Sequence, residues 1–422
     1  DKTMIIPSID LMNGQAVQLI GGKEKSIDAG DPRPIAKRFA RAGEVAVIDL
    51  DAALGRGDNR DVITELLAIA PCRVGGGIRD LETARKWLDA GAVKIILGTK
   101  AVPEILRELP KDRVMAALDA EDGEIVVEGW QTKTGATIEG RMAELRDLVG
   151  GFLVTFVERE GRLKGGDLER AEALAKDAGS VRVTFAGGVT TVEEIAALDQ
   201  LGADAQVGMA LYTERLDLGA AIAAPLTSDR PDGLWPTVVV DELGIALGLA
   251  YSDADSLSEA VRSGRGVYHS RSRGLWIKGE TSGATQELLA VDLDCDRDAL
   301  RFTVSQNDPG FCHLDTMTCW GDDRGVAALA RRLAQRATEA PDGSYTRRLL
   351  DDPDLLRAKL AEEAGELAAA ETPAEVAHEA ADLLYFTLTA MARAGVPLAE
   401  VASELDRRAL KITRRPGNAK ET

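Results

Sequence analysis

Short apolar runs alternate with amphipathic helical stretches over residues 4–223. A run that is apolar at every position indicates a buried strand, and apolar residues spaced three and four apart indicate one face of a helix. Helical patterns lie, for example, over Asn59–Ile69 and Leu81–Ala90. The predicted strands are Met4–Ile9, Val45–Leu50, Cys72–Gly75, Val93–Leu97, Val114–Leu118, Phe152–Val157, Val181–Ala186 and Ala205–Val207. This alternation predicts a closed (βα)8 TIM barrel, with an open doubly wound sheet as the alternative.

Glycine-rich strand ends recur within this region. Gly75-Gly76-Gly77-Ile78, followed by Leu97-Gly98-Thr99, recurs as Ala186-Gly187-Gly188-Val189, followed by Val207-Gly208-Met209. The repeat predicts a barrel made of two duplicated halves. Bare backbone N–H groups bind phosphate, so two matched turns suit a substrate with two phosphates, although a single glycine turn often only closes a loop. The candidate phosphate-binding residues are Gly76, Gly77, Gly98, Thr99, Gly187, Gly188 and Gly208.

Two aspartates occupy equivalent places in the two halves. Ile9-Asp10-Leu11 recurs as Leu118-Asp119-Ala120, and both aspartates follow a predicted strand. Barrel enzymes keep their chemistry at the carboxyl ends of the strands. Facing carboxylates there can divide the acid and base roles if their surroundings separate their pKa values. The alternative is that each aspartate only caps the loop after its strand.

The stretches IIPSIDLMNGQAVQL, VGGGIRDLETA, ILGTKAV and LDAEDGEIVVEGW resemble ProFAR isomerase of histidine biosynthesis. The resemblance covers nearly all of residues 4–223 and implies an Amadori rearrangement without a cofactor. It implies that Asp10 is the base, that Asp119 is the acid, and that Thr155 lies beside the substrate.

The barrel region departs from that family at three positions. Glu160 stands where an aspartate is usual, and Met209 and Gln18 stand where arginine is common. Catalytic geometry is sensitive to shifts of about 1 Å, which is the order of one extra CH₂. Fungal histidine proteins also carry a barrel-like region ahead of a cyclohydrolase. A bifunctional enzyme with a catalytically silent barrel is therefore the alternative.

Three of the four cysteines lie close together in the middle of the chain, at Cys295, Cys312 and Cys319. Three thiolates leave a fourth position open on tetrahedral zinc, where a bound water becomes acidic near neutral pH. Their spacing is not the paired C-x₂-C of a structural site. The alternatives are a structural zinc knuckle or three unrelated buried thiols.

Alternating acids surround the first of these cysteines. The apolar run Leu288–Val291 predicts a strand that continues through this stretch, so that Asp294, Asp296 and Asp298 share one face and Cys295 points the other way. Carboxylates at such spacing suit Mg²⁺. A run of acids on one strand face is otherwise a solvated surface.

The stretches SRSRGLWIKGETSG, DCDRD and CHLDTMTC resemble phosphoribosyl-AMP cyclohydrolase. Arginine, lysine and hydroxyl groups in the first stretch suit phosphate and ribose, and these candidates are Arg271, Arg273, Lys278, Thr281 and Ser282. The resemblance implies a small α+β zinc-binding domain in which zinc hydroxide opens an adenine ring. It implies that the three cysteines hold Zn²⁺, that the three aspartates hold Mg²⁺, and that His313 assists proton transfer. In that family two subunits share the zinc, which implies a homodimer.

The last part of the chain is rich in alanine and leucine at helical spacing. Asp352-Pro353 and Thr372-Pro373-Ala374-Glu375 predict the starts of two helices. Residues three apart lie on one helix face, so neighbouring helices can bring four acids together around Mg²⁺. An acidic face open to solvent is the alternative. The acids are Glu363, Glu366, Glu379 and Asp382.

The stretches SYTRRLL, KLAEEAGEL and HEAADLLYF resemble phosphoribosyl-ATP pyrophosphatase and, more loosely, the all-α MazG-like nucleotide pyrophosphohydrolases. The resemblance implies an all-α, ATP-related nucleotide-binding domain. It also implies Mg²⁺-dependent attack of water on the bond between the α and β phosphates. Lys359 is the candidate phosphate contact in this region.

Composition narrows the range of partners. The formal net charge of −19 disfavours nucleic acid and anionic membranes. Free thiols, no apolar run near 18 residues and no visible signal peptide predict a cytoplasmic location. The predicted domains are 1–226, 227–323 and 324–422. Their resemblances match three consecutive reactions on phosphoribosyl-nucleotides, which predicts a trifunctional enzyme of histidine biosynthesis. A metal-dependent protein that hydrolyses assorted nucleotides is a further alternative.

Overall fold

The computed structural model describes residues 4–127, 130–160, 167–339, 341 and 343–414. These residues form two compact units. The first contains the described parts of Asp1–Asp241, Gly248–Asp308 and Leu410–Thr422, and the second contains Glu242–Leu247 and Pro309–Ala409. Within the described residues, no helix is both long and apolar enough to cross a bilayer.

Eight parallel strands of the barrel region close into a cylinder, and four more form antiparallel ribbons, among the residues that the structure describes. They are β1 (Ile5–Met12), β2 (Gln15–Ile20), β3 (Glu24–Gly30), β4 (Val45–Asp49), β5 (Cys72–Gly75), β6 (Lys94–Leu97), β7 (Val114–Glu121), β8 (Glu124–Val127), β9 (Thr132–Thr137), β10 (Gly151–Phe156), β11 (Arg182–Ala186) and β12 (Asp204–Val207). The parallel order is β1-β4-β5-β6-β7-β10-β11-β12, and β12 pairs back onto β1 with Ala205 opposite Ile5. The predicted closed eight-stranded barrel is confirmed.

The two halves of the barrel carry the same additional element. An antiparallel pair, β2 and β3, follows β1, and another pair, β8 and β9, follows β7. The strands β1 and β7 bear Asp10 and Asp119, so each aspartate lies at the root of a ribbon that extends from the barrel mouth. This arrangement agrees with the duplicated halves that the sequence repeat predicts.

Helices connect the barrel strands. They are α1 (Pro32–Phe39), α2 (Leu50–Ala53), α3 (Arg60–Ile69), α4 (Leu81–Ala90), α5 (Pro103–Leu106), α6 (Ile138–Leu145), α7 (Leu168–Ala178), α8 (Val192–Gln200), α9 (Met209–Tyr212) and α10 (Leu218–Ala223). Local chemistry sets their ends. The Asp80 side chain accepts the Thr83 N–H at the start of α4, and Gly91 ends that helix with φ 110°. Thr191 and Glu194 form a capping box at the start of α8.

A small α+β region follows, and it belongs to the first unit except for Glu242–Leu247. Its elements are β13 (Trp235–Val240), β14 (Ala246–Ser252), α11 (Ala254–Ser263), β15 (Val267–Ser270), β16 (Gly274–Ile277), β17 (Gln286–Leu293) and β18 (Leu300–Gln306). The sheet order is β14-β13-β18-β17, and β15 and β16 form a separate antiparallel ribbon. The prediction that the strand continues through Asp294–Asp298 is wrong, because β17 ends at Leu293 and a turn follows.

The second unit is mostly helical. Its helices are α12 (Gly325–Glu339), α13 (Tyr345–Asp351), α14 (Pro353–Ala369), α15 (Pro373–Ala394) and α16 (Leu398–Ala409). The predicted starts of α14 and α15 are confirmed, since the Asp352 side chain caps α14 and Thr372 and Glu375 form a capping box on α15. Leu349, Leu356 and Phe386 form a buried cluster between these helices.

An ionic network lies inside the barrel. Arg73 of β5 is only 2% exposed and donates to Glu44 and to the Thr184 hydroxyl. Its guanidinium also lies 3.7 Å from Asp204, which is 1% exposed. Removing one partner of a buried pair leaves an uncompensated charge, whose cost exceeds that of losing the attraction alone.

We expect Arg73→Ala to lower the free energy of unfolding by about 3–5 kcal/mol, because it leaves the Asp204 and Glu44 carboxylates undercompensated. Urea unfolding of the full chain measures the change. Arg33→Ala is the matched control, since Arg33 and Glu65 pair at the surface with 41% and 54% exposure and should contribute about 1 kcal/mol or less. Equal effects of the two substitutions would contradict this view of the network.

Candidate active sites

The barrel mouth brings the two predicted catalytic aspartates together with hydrogen-bond donors. The Ser8 hydroxyl donates to Asp10 Oδ1 over 3.2 Å, and the Trp130 indole N–H donates to Asp119 Oδ2 over 2.8 Å. Thr155 lies directly opposite Asp119 in the β7–β10 pairing and its side chain also hydrogen bonds to Asp119. The predicted residues of this site therefore meet at the carboxyl ends of the strands.

A third acid, Glu160, shares the mouth with these aspartates. Burial raises the pKa of Asp10 to about 6, although the Ser8 hydroxyl opposes the shift. Burial also raises the pKa of Asp119 against the hydrogen bonds from Trp130 and Thr155. The pKa of Glu160 rises to about 8 through burial and through the negative charges of Asp10 and Asp119. Glu160 therefore keeps a proton at neutral pH while Asp10 is mostly ionised.

The glycine turns of the barrel leave no room for a side chain. A Cβ at Gly76 would lie 2.3 Å from the Asp49 carbonyl oxygen, and one at Gly187 would lie 2.6 Å from that of Phe156. Both glycines have positive φ, as do Gly77 and Gly188. The close approach explains the glycines structurally, and it leaves the phosphate-binding role of these turns, and of Gly98 and Thr99, as a prediction.

Two of the family departures lie at the last of these turns. A Cβ at Gly208 would be 2.6 Å from Gln18 Oε1, so Gln18 occupies the space beside that turn. Met209 begins α9 and is buried. Neither residue supplies the positive charge that arginine would bring to a phosphate there.

The acidic turn after β17 gathers its three aspartates by backbone hydrogen bonds. Asp294 Oδ1 accepts the N–H groups of Asp298 and Ala299 at 3.1 and 3.2 Å. Carboxylate oxygens of Asp294, Asp296 and Asp298 all lie within 4.8 Å of one another. The charge of Asp296 raises the pKa of Asp298. The predicted proximity is therefore correct, although a turn produces it and not the alternation of a strand.

The three predicted zinc ligands are divided between the two compact units. Cys295 is exposed within the acidic turn and belongs to the first unit. Cys312 and Cys319 belong to the second unit, where Cys312 Sγ is 4.0 Å from His313 Nδ1. The three-cysteine zinc site and the role of His313 stay predictions.

The predicted phosphate-binding loop spans the β15–β16 ribbon and the turn after it. Its cationic groups lie over aromatic rings, with Arg271 4.8 Å from the Tyr251 ring centre and Arg273 5.7 Å from that of Trp276. Lys278 lies 5.9 Å from the Trp276 ring centre. Thr281 and Ser282 lie in the turn after β16. Each of these cations is attracted to the face of an aromatic ring, which orients its side chain.

The helical unit holds a second acidic cluster. Carboxylate oxygens of Glu363, Glu366 and Glu379 lie within 4.8 Å of one another. A hydrogen bond with Glu379, together with burial and neighbouring charge, raises the pKa of Glu366. Glu379 Oε2 is buried and accepts no hydrogen bond from the residues that the structure describes. This set of hard oxygen donors fits a divalent cation.

Two predicted members of that site have other partners. Asp382 is not part of the three-glutamate group, and its carboxylate lies 3.6 Å from His378. Lys359 Nζ lies 2.9 Å from both Glu362 and Glu363. A metal ligand at Asp382 and a phosphate contact at Lys359 stay predictions.

Three family models match the chain in order. Residues 4–217 match the histidine biosynthesis protein model, 248–321 the phosphoribosyl-AMP cyclohydrolase model, and 326–409 the phosphoribosyl-ATP pyrophosphohydrolase model. The chain belongs to the histidine biosynthesis protein family. The cyclohydrolase and pyrophosphohydrolase families are generally metal-dependent, in agreement with the two acidic clusters of this family member.

Relatives cover different shares of this family member. A histidine biosynthesis trifunctional protein of Neurospora crassa is 40% identical over 79% of this chain and 36% of its own length. A histidine biosynthesis bifunctional protein of Schizosaccharomyces pombe is 51% identical over 49% of this chain and 50% of its own length. A phosphoribosyl imidazole-4-carboxamide isomerase of Methanocaldococcus jannaschii is 37% identical over 52% of this chain and 98% of its own length. The chain thus spans half or less of the two fungal relatives.

Sequence reasoning gave no role to two residues of the barrel mouth. Trp130 ends a stretch that carries the isomerase resemblance, but its bond to Asp119 depends on how the β8–β9 ribbon folds back. Tyr212 donates from its hydroxyl to the Ser8 carbonyl oxygen over 3.1 Å and so supports the strand that carries Asp10.

For the histidine biosynthesis barrel we expect stability to fall as pH rises from about 4.5 to 8. The pKa of Glu160 in the folded protein (about 8) exceeds its ordinary value of 4.5. The contribution of Glu160 to the free energy of unfolding is therefore complete below pH 4.5 and is lost as the pH rises to 8. The slope is at most about 1.4 kcal/mol per pH unit. Urea unfolding between pH 6 and 9 should show that Glu160→Gln removes this dependence, because the raised pKa of Asp10, about 6, contributes mainly below that range. Exposed Glu193→Gln is the control, and a wild-type curve parallel to that of Glu160→Gln would contradict the assignment.

We expect Glu363→Gln to weaken Mg²⁺ binding at least roughly tenfold, because even outer-shell changes have effects of that size. Affinity should also fall at lower pH, since protons compete at Glu366, whose pKa is raised. Calorimetry measures both effects in an Asp296→Asn background, which removes the other acidic group. Exposed Glu400→Gln should bind like its parent, and unchanged binding in Glu363→Gln would exclude this cluster as the site.

Proposed function

We propose that the chain catalyses three consecutive steps of histidine biosynthesis. It releases pyrophosphate from phosphoribosyl-ATP, opens the adenine ring of the phosphoribosyl-AMP product, and isomerises the resulting aminoaldose, ProFAR, to an aminoketose. The ordered match to three families in one chain carries the proposal. Each product is the next substrate, which favours these activities over general hydrolysis of nucleotides.

The helical unit performs the first step in this proposal. Glu363, Glu366 and Glu379 would hold Mg²⁺, with Asp382 as a further ligand, and Mg²⁺ when bound neutralises polyphosphate charge. Lys359 lies beside Glu363 and would contact a phosphate oxygen. Water attacks a phosphorus atom of the linkage between the α and β phosphates. That linkage breaks, and pyrophosphate leaves.

The ring-opening step uses the cyclohydrolase region. Cys295, Cys312 and Cys319 would hold Zn²⁺, for which three thiolates are a suitable set, and zinc when bound supplies an acidified water. The three aspartates of the turn would hold Mg²⁺, and His313 would move a proton. Phosphate and ribose would be held by Arg271, Arg273, Lys278, Thr281 and Ser282. We also propose a homodimer with zinc shared between subunits.

The barrel performs the isomerisation with its own side chains. Asp119 protonates the ring oxygen of ProFAR, which opens the sugar, and Asp10 removes the proton from carbon 2. The enaminol that results gains a proton at carbon 1 and loses the proton of its carbon 2 hydroxyl, which yields the aminoketose. Thr155 and Trp130 hold the Asp119 carboxyl group in place through their hydrogen bonds. The glycine turns would bind the two phosphates.

A bifunctional enzyme with a silent barrel is the second candidate, because Gln18 and Met209 bring no charge to the last turn. The acids of the barrel mouth argue against this second candidate. Asp10 and Asp119 lie close enough to Glu160 that the charges of both aspartates raise its pKa. A barrel with only a structural role has no need for three repelling acids there.

Feeding phosphoribosyl-ATP to the purified chain should yield the aminoketose. Glu363→Gln should leave phosphoribosyl-ATP, Cys312→Ser should leave phosphoribosyl-AMP, and Asp10→Asn should leave ProFAR. Loss of a general acid or base lowers a rate roughly 10²- to 10⁴-fold. Chromatography of the products with time tests all three sites. Wild-type formation of the aminoketose by Asp10→Asn would remove the acid–base assignment, and a wild-type chain that stops at ProFAR would establish the silent barrel.

A further inference from the structure

The acidic turn of the cyclohydrolase region is bound to the barrel by one of its own residues. Arg297 lies between Asp296 and Asp298, and its guanidinium reaches Asp199 of α8 with Nη2 2.9 Å from Oδ1 and Nε 3.3 Å from Oδ2. The side chains of Arg297 and Asp199 are only 16% and 13% exposed. A charge-assisted pair with two bonds, shielded from water, is strong and weakly screened by salt.

Arg297 also fixes the backbone around it. Its φ of 64° lies in the left-handed region, which non-glycine residues rarely adopt unless their surroundings hold them there. The Thr227 N–H donates to the Arg297 carbonyl oxygen over 2.8 Å. The Arg297 guanidinium donates to the Asp294 carbonyl oxygen over 3.1 Å. The side chain therefore joins the barrel helix to the first aspartate of the turn.

The barrel partner is itself held firmly. The capping box of Thr191 and Glu194 fixes the start of α8, and Asp199 lies in the last turn of that helix. Its helix packs on the barrel through Ile195 and Leu198, which are buried. Asp199 thus provides a rigid anchor for Arg297.

The positive charge of Arg297 affects the carboxylates of the acidic turn if it is not paired with Asp199. A guanidinium released from Asp199 lies beside three carboxylates and can pair with them, which places it in competition with a divalent cation. While Asp199 holds it, the guanidinium faces the barrel and the carboxylate oxygens stay grouped within 4.8 Å.

We propose that the Asp199–Arg297 ion pair positions the acidic turn, so that the barrel sets the divalent-cation affinity of the cyclohydrolase region. The proposal rests on the proposed function only for the reaction that the turn serves. Arg297 and Asp199 are positioning residues that act through Asp294, Asp296 and Asp298. An isolated cyclohydrolase region without the barrel helix lacks this anchor.

Mn²⁺ titration of the full-length chain, followed by electron paramagnetic resonance, tests the proposal. Every variant carries Glu363→Gln, so that the helical cluster does not contribute. Asp199→Asn removes the anchor, and Arg297→Gly removes the guanidinium while glycine accepts the positive φ. We expect each to weaken Mn²⁺ binding roughly 10- to 100-fold, the usual effect of losing an outer-shell partner, and Asp199→Asn to have the larger effect because it alone leaves a freed guanidinium. The double variant should bind no more weakly than the weaker single one, and Asp199→Glu should recover most of the affinity.

Lys37→Ala is the matched control. Lys37 of α1 pairs with Glu287 of β17 over 2.7 Å, so it also joins the barrel to this region, but far from the turn. Its loss should leave Mn²⁺ binding unchanged. Wild-type affinity in Asp199→Asn, or losses that multiply in the double variant, would overturn the proposal. If the variants change Mn²⁺ affinity as expected but the wild-type chain opens no adenine ring, the proposed function is refuted and the inference stays intact.

Discussion

Repulsion between carboxylates held close together governs the three candidate sites. In the barrel mouth Glu160 meets the charges of Asp10 and Asp119, and its pKa rises to about 8. In the acidic turn and in the helical cluster, oxygens of three acids lie within 4.8 Å. Acids this close cannot all stay ionised without a counter-charge. The barrel resolves the repulsion with a proton, which suits acid–base chemistry, and the two other groups fit a divalent cation, which suits reactions on phosphates.

The same excess of negative charge determines how the chain can bind its substrates. With a formal net charge of −19, the field of the whole protein repels phosphorylated molecules. Binding must come from local groups at short range. In the proposed function the barrel would use backbone N–H groups, at turns where Gly76 and Gly187 leave no room for a side chain. The cyclohydrolase region would use Arg271 and Arg273, which are oriented by Tyr251 and Trp276.

Periodicity and local signals were sufficient to predict most of the fold. Apolar runs gave the eight barrel strands, and residues such as Thr372 gave the starts of helices, because these features depend on neighbours along the chain. The acidic turn was predicted as a strand, because the alternation of Asp294, Asp296 and Asp298 looks the same in both. The backbone donors that bend it, and the ion pair of Arg297, depend on contacts that the local pattern does not contain.

The candidate site shows the same division between local and distant information. Glu160 was recognised as a departure from the family, but its effect depends on two acids that come from other strands. Trp130 lies in a resembling stretch, although only the folded ribbon brings it to Asp119. Asp199 carries no sequence signal at all, since it lies 98 residues before Arg297 on an ordinary amphipathic helix.

The barrel's structural contribution does not depend on whether it is an active isomerase. Lys37 pairs with Glu287, Arg41 donates to the Val261 carbonyl oxygen over 2.8 Å, and Asp199 holds Arg297. These contacts come from helices and turns outside the mouth, so loss of the catalytic residues would leave them in place. A barrel without activity would therefore still stabilise the neighbouring cyclohydrolase region through these contacts. The grouping of Asp10, Asp119 and Glu160 needs a different explanation, since those acids support none of these contacts, and the proposed catalysis in the mouth provides one.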